Sequence, residues 1–221
     1  MSDGGDRRAR KKAATRALVL STAQGLFAER GFDAVTIADI ASTADVAVQT
    51  VFNHFSTKEE LFFADRAEWV AAPAEAVSGR AADESPEQAL RRSLIEIVGD
   101  HIARLAEPGH RGMVATVAVT PALRVHEREL AETSRRMLQT ALAEAWAELL
   151  DRKPEEFRRA AGLTSATWTS TARAVADEYR QPLPSAAEAP ARAREAAQLV
   201  ERVLLGLESA LASSETLNGR D

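Results

Sequence analysis

The 221 residues contain no cysteine, which excludes disulfides, thiolate zinc sites and thiol nucleophiles. Glycine (11) and proline (8) are sparse, β-branched runs are rare and alanine is abundant, so helix is favoured nearly throughout. No apolar run approaches the roughly 20 residues that a membrane span needs. The polar start, Met1 to Asp6, is not followed by a secretory apolar segment. A soluble, cytoplasmic protein with no membrane association is expected. Gly-rich phosphate loops, G-x-S-x-G and H-E-x-x-H are all missing, so an enzyme is not expected, and neither is a cofactor. His101, His110 and His126 are irregularly spaced, with no matching carboxylate pattern, and predict no metal site.

What is present is ordinary for a globular chain: 45% hydrophobic and 28% charged residues. The net charge of −5 taken alone disfavours nucleic acid, but its distribution does not. Arg7, Arg8, Arg10, Lys11, Lys12 and Arg16 crowd the start. Residues 1–60 carry eight Lys/Arg and eight Asp/Glu, so the remainder holds the whole deficit. A basic arm on an acidic body fits a locally docked DNA binder, and equally a solvated tail.

Apolar spacing predicts an all-α chain of about nine helices. The first runs from about Ala13 to Arg30, with Val19, Ala23, Leu26 and Phe27 on one stripe and Gly31 as its stop. Thr36 and Asp39 read as a capping box that opens a short second helix with Ile37, Ile40, Ala41 and Ala44 on its face. After a break at Asp45-Val46, a third helix is expected from about Ala47 to His54, burying Val48, Val51, Phe52 and Phe55. Two overlapping boxes, Ser56 with Glu59 and Thr57 with Glu60, launch a fourth helix through Leu61, Phe62 and Trp69. Ala72 to Glu84 reads as a frayed end and a loop, and Ser85-Pro86-Glu87-Gln88 as an emphatic helix start. Later helices are expected over Met113–Val119, from about Leu130 to Leu150, from Pro154, and from Ala191 to Leu211, with a proline-containing loop over 181–190. The expected organisation is a disordered basic arm (1–12), a three-helix helix-turn-helix DNA-binding domain (13–60), and a larger helical effector-binding and dimerisation domain (61–221).

In a helix-turn-helix the second helix presents its N-terminal residues to base edges in the major groove. Here those residues are Val48, Gln49, Thr50 and Asn53. Gln and Asn suit adenine edges, Thr50 a base or phosphate, and Val48 a thymine methyl. Thr36 and Lys58 stand at helix starts suited to phosphate contact. His54 either packs or bonds a phosphate, and Arg7, Arg8, Arg10, Lys11 and Lys12 either reach a minor groove or never order.

Gly31-Phe32-Asp33-Ala34-Val35-Thr36-Ile37-Ala38-Asp39-Ile40-Ala41 and Val51-Phe52-Asn53-His54-Phe55-Ser56-Thr57-Lys58-Glu59-Glu60-Leu61 resemble the TetR family of bacterial regulators, over about residues 14–65. The chain departs from the family's habit at Asp45, Ala47 and Gln49, where glycine and serine are usual around the turn, and at Phe52, where a tyrosine phenol usually reaches phosphate. The resemblance implies a double-stranded, palindromic operator, a homodimer through the last two helices, and a small apolar effector that releases a repressor by respacing its recognition helices. The fourth helix would act as the lever between domains. A stripe of Val200, Val203, Leu204, Leu207 and Leu211, with Leu199 and Leu205 beside it, suits a dimer seam or an intrachain core. His101, Met113, Met137, Trp146 and Trp168 are candidates to line an effector pocket, or plain core. Two other readings stay open: a helical regulator that binds DNA without an effector, and a helical interaction module.

Overall fold

The computed structural model describes residues 3–64 and 67–213, with side chains for 7–64 and 67–209. Among these residues all regular structure is helical: α1 (Asp3–Arg30), α2 (Ile37–Thr43), α3 (Val48–Phe52), α4 (Lys58–Phe63), α5 (Ala72–Ser78), α6 (Pro86–Ala103), α7 (Pro108–Val119), α8 (Pro121–Leu150), α9 (Pro154–Tyr179) and α10 (Ala189–Ser213). Single 3-10 turns lie at Glu68–Val70 and Arg104–Ala106. The few prolines are well used, since α6, α7, α8 and α9 each begin on one. At that position the missing N–H removes no helical bond and the fixed φ already suits the helix.

The chain forms two compact units. One comprises the residues up to Ala67 together with Gly112–Glu127, and the other Glu68–Arg111 with the residues from Arg128 onward. The first unit buries Val19, Ala23, Leu26 and Phe27 of α1 against Phe32, Val35, Ile40, Val51, Phe55, Leu61, Phe62 and Phe63. Val114, Val117 and Leu123 add buried apolar surface from the later segment. In the second unit α6 is the centre, packed against α5, α9 and α10. Its buried row is Leu90, Leu94, Val98 and Ile102, a residue every four along one helix face. Trp168 of α9 and Val200 and Leu204 of α10 are fully buried in the same unit.

Several boundaries differ from the sequence expectation. α1 starts at Asp3, so the expected disordered arm of Arg7, Arg8, Arg10, Lys11 and Lys12 is instead helix, continuous with the rest. Residues 7–17 are arginine, lysine, alanine and threonine with no glycine or proline, so propagation from the buried part of α1 meets no breaker. The fourth helix stops at Phe63 instead of reaching Trp69. Leu61, Phe62 and Phe63 are all buried, and Ala64 turns extended (φ −57°, ψ 135°), which ends the i→i−4 ladder. A continuous helical lever through Trp69 is therefore not formed. The segment after Ala72 yields a defined α5, and α7 begins at Pro108, earlier than Met113. The α10 stripe divides: Val200 and Leu204 are buried, while Val203 and Leu205 are exposed. Leu211 lies outside the residues whose side chains are described.

The cap of α6 forms as expected. Ser85 N–H donates to Gln88 Oε1 at 2.9 Å and Gln88 N–H to Ser85 Oγ at 3.1 Å. Because α6 packs on three other helices, its first turn matters to the whole unit. Ser85→Ala should lower stability by about 1 kcal/mol, read as a shifted urea midpoint at unchanged slope.

Candidate nucleic-acid interface

The helix-turn-helix is built by local chemistry. Gly31, at φ +80°, ends α1 in the left-handed conformation that glycine adopts without strain, its N–H bonded to Phe27 C=O at 3.0 Å. Thr36 then caps α2. Its N–H donates to Asp39 Oδ2 at 2.8 Å, its hydroxyl donates to the same oxygen at 2.6 Å, and Asp39 N–H returns a bond to Thr36 Oγ1 at 3.1 Å. Those bonds, the hydroxyl's first, hold the Asp39 carboxyl below the usual carboxylate range. Asp45 takes φ +52° in the turn, a conformation that Asp tolerates better than most residues. Val46 N–H reaches back to Ala41 C=O at 3.0 Å and closes the turn. Ala47 precedes α3 with extended backbone and offers no side-chain cap.

α3 is five residues long and turns two faces in different directions. Val51, and Phe55 just beyond the helix, are buried. Val48, Gln49, Phe52 and Asn53 are exposed, and Thr50 is intermediate. The expectation that Val48 and Phe52 join the buried side is therefore corrected. Residues 48 and 52 form one i,i+4 row and residues 51 and 55 another, about 60° apart on a helix, and only the second row faces the core. The spacing was in the sequence. On the solvent side Gln49 Nε2 donates to Asn53 Oδ1 at 3.3 Å, so the two amides stand as one polar ridge.

Lys58 behaves differently from the sequence expectation. Its Nζ donates to Phe32 C=O at 2.9 Å and to Val35 C=O at 3.0 Å, and lies 4.1 Å from the centre of the Phe32 ring. The ammonium faces the α1–α2 loop, where it satisfies two loop carbonyls instead of standing free for phosphate. At the start of α4 the two expected boxes merge. Thr57 Oγ1 accepts from Glu60 N–H at 3.0 Å, while Glu60 Oε2 accepts from Ser56 N–H at 2.6 Å. Glu60, rather than Glu59, answers Ser56. His54 is half-buried with its ring 6.5 Å from that of Phe55. Arg7, Arg8, Arg10, Lys11 and Lys12 are all exposed on α1.

Residues 19–64 match the family model of bacterial regulatory proteins, tetR family. The chain carries a TetR-family DNA-binding domain. Solved structures share the fold across most of the chain. NalD, the secondary repressor of the MexAB-OprM multidrug efflux pump in Pseudomonas aeruginosa, is 18% identical over 87% of this chain and 96% of its own, with a TM-score of 0.53. A SmeT–triclosan complex gives 18% identity, 86% and 91% coverage, and 0.53. A TetR-family regulator from Streptomyces coelicolor A3 gives 23%, 86% and 94%, and 0.52. No curated protein matches the sequence.

Beyond the TetR-family domain, the residues expected to line an effector pocket have unlike surroundings. Met113 belongs to the first unit and His101, Met137, Trp146 and Trp168 to the second. Met137 is exposed on α8. Trp146 Nε1 donates to Glu87 Oε1 at 2.6 Å and its ring stacks edgewise on Phe157, at 6.2 Å. Trp168 is wholly buried, and its Nε1 has no hydrogen-bond partner. His101 is mostly buried, its ring 5.0 Å from that of His110. A surface groove of about 430 Å³ lies elsewhere in this unit, lined by Glu84, Gln88, Arg91, Arg92, Ile95, Glu96 and Glu201. Its arginines are already paired, Arg92 with Glu84 at 3.1 Å and Arg91 with Glu208.

Two predictions follow from these contacts. Removing the Lys58 ammonium (Lys58→Met) leaves two loop carbonyls short of a charged donor, and should destabilise the first unit by about 2 kcal/mol. Denaturant unfolding checks this. Burial first, then the charges of His110, Arg180 and Arg104, pushes His101 down to about 4 from an ordinary 6.5. A base whose folded pKa is depressed is neutral in both states above 6.5, so stability is full there. It falls as the unfolded state alone takes the proton, and levels off below about 4, a loss of about 3 kcal/mol. Unfolding free energies measured from pH 7 to 4 should show that slope, and His101→Gln should flatten it.

Proposed function

We propose that the protein is a sequence-specific transcriptional regulator that binds duplex DNA as a homodimer and is a repressor released by a small apolar effector. The observation that carries the DNA part is the α3 face. A short helix held by Val51 and Phe55 turns Gln49, Asn53, Val48 and Phe52 to solvent, within a segment that matches the tetR family model. Amides at that place suit adenine edges, and the exposed cations from Arg7 to Lys12 suit phosphates. Thr36 contributes by ordering the start of α2 through its capping box. Thr50 and His54 flank the same face.

The dimer and effector parts have their own support. Leu163 on α9 and Val203 and Leu205 on α10 are large apolar residues left at the surface, which suits a seam between the last two helices of two copies. The buried Trp168 N–H without a partner is a group that a ligand acceptor would satisfy. SmeT has been seen with triclosan, an example that points the effector toward small apolar compounds. The organisation that goes with this reading is a DNA-binding domain over 13–60 and an effector-binding and dimerisation domain over 61–221, working in the cytoplasm.

Selection of bound sequences from random duplexes by the full-length protein tests the reading. An inverted repeat should emerge with half-site centres about one helical turn, roughly 34 Å, apart. A Gln49→Ala/Asn53→Ala double variant should lose on the order of 100-fold in affinity for that sequence while melting as the parent does. Release should be seen on titrating a panel of small apolar compounds. A pool with no enriched motif would refute the DNA part, and an operator affinity that no compound changes would refute the effector part.

A further inference from the structure

The recognition face carries two ridges of opposite chemistry. Val48 and Phe52 are 42% and 46% exposed, one turn apart, and they are the large hydrophobic residues that the first unit leaves at the surface between Gly31 and Phe63, among the described residues. Gln49 and Asn53 form the second ridge, displaced by about 100° around the helix and joined by their 3.3 Å amide bond. Together the four side chains sweep about 140° of the helix surface, roughly opposite the direction between Thr50 and Val51. A half-exposed Phe beside a half-exposed Val is unfavourable in water, and Phe52 has no hydroxyl to give a phosphate.

The major-groove edge of a base pair holds one apolar group, the 5-methyl of thymine. The opposite base of that pair, adenine, offers an N6 donor beside an N7 acceptor. The amide ridge answers that edge, because the Gln49–Asn53 bond uses Asn53 Oδ1 and leaves Gln49 Oε1 to accept and Asn53 Nδ2 to donate. The geometry points to Val48 and Phe52 as specificity-determining residues that read thymine methyls, in A·T pairs whose adenines face Gln49 and Asn53. This inference rests on the reading of the chain as a DNA binder and adds what its half-site contains. Operator recognition by α3 depends on methyl groups, not only on hydrogen bonds.

The test uses the full-length protein and the duplex enriched by selection. Each thymine of the half-sites is replaced in turn by deoxyuridine, which deletes the methyl and keeps every hydrogen-bonding edge. At one or two positions per half-site the parent should bind about threefold to tenfold more weakly to the deoxyuridine duplex, about fourfold being the worth of one buried methyl. With Val48→Ala or Phe52→Ala the thymine-to-uridine ratio at those positions should fall to about one. Both side chains are exposed, so both variants should fold, and circular dichroism checks that they do. Phe52→Leu, which keeps an apolar tip, should retain part of the discrimination. Equal binding of thymine and uridine duplexes by the parent overturns the inference and leaves DNA binding standing. So does discrimination that survives unchanged in both alanine variants. If no duplex is bound at all, this inference falls together with the reading beneath it.

Discussion

The geometry of the recognition face depends on the tie between Lys58 and the loop that joins α1 to α2. Six of the seven phenylalanines lie between residues 27 and 63, and three of them, Phe27, Phe32 and Phe62, meet with ring centres 5.3 to 5.8 Å apart. Lys58 sits over the Phe32 ring and takes the Phe32 and Val35 carbonyls, so the same side chain holds the loop by its backbone and by its aromatic anchor. Val35 is directly followed by Thr36, whose capping box sets where α2 begins. α2 in turn hands the chain through the Asp45 turn to α3. An ammonium assigned to phosphate on sequence grounds is thus a structural rivet, and the loop it holds is the one from which the reading head is aimed.

The sequence disclosed what depends on neighbours a few residues apart. The boxes at Thr36–Asp39 and Ser85–Gln88, the stop at Gly31 and the apolar row of α1 are all local agreements between side chain and backbone. They form because each satisfies helix-end groups or buries a stripe regardless of the rest of the fold. The misses are non-local. Lys58 finds its acceptors 26 and 23 residues away, and no short window contains that choice. The first unit draws on Gly112–Glu127, far along the chain. α4 ends early where Ala64 turns extended, although no glycine or proline stands at that position. The side of α3 that holds Phe52 was legible in principle, since the 48/52 and 51/55 rows are distinct. Hydrophobicity alone made both look buried.

The second unit was less legible for a different reason. Large apolar side chains at helical spacing are what a core needs and also what a ligand pocket needs, so type and period do not separate the two. In the structure the two tryptophans differ in their partners. Trp146 spends its N–H on Glu87, whereas Trp168 has its N–H buried and unspent. His101, packed with His110 and near Arg104 and Arg180, is kept neutral by burial and by an excess of positive neighbours. These distinctions belong to polar atoms, about which a hydropathy pattern says nothing.

α3 shows why the two halves of the DNA-reading problem, stability and recognition, cannot be separated. Five residues without a side-chain cap are far below the length at which a helix persists alone in water, roughly 12 to 15 residues. The helix exists because Val51 and Phe55 are buried, and Phe55 is covered by Arg16, whose guanidinium lies 4.9 Å from its ring centre. Burial on one side therefore frees the other side from any structural duty, and Val48, Gln49, Phe52 and Asn53 can be chosen for chemistry alone. The same economy governs charge. Cations are concentrated between Arg7 and Arg16 on α1, while residues beyond 60 carry the whole net deficit of the chain. A phosphate backbone is attracted by a concentration of cations and repelled by an acidic surface.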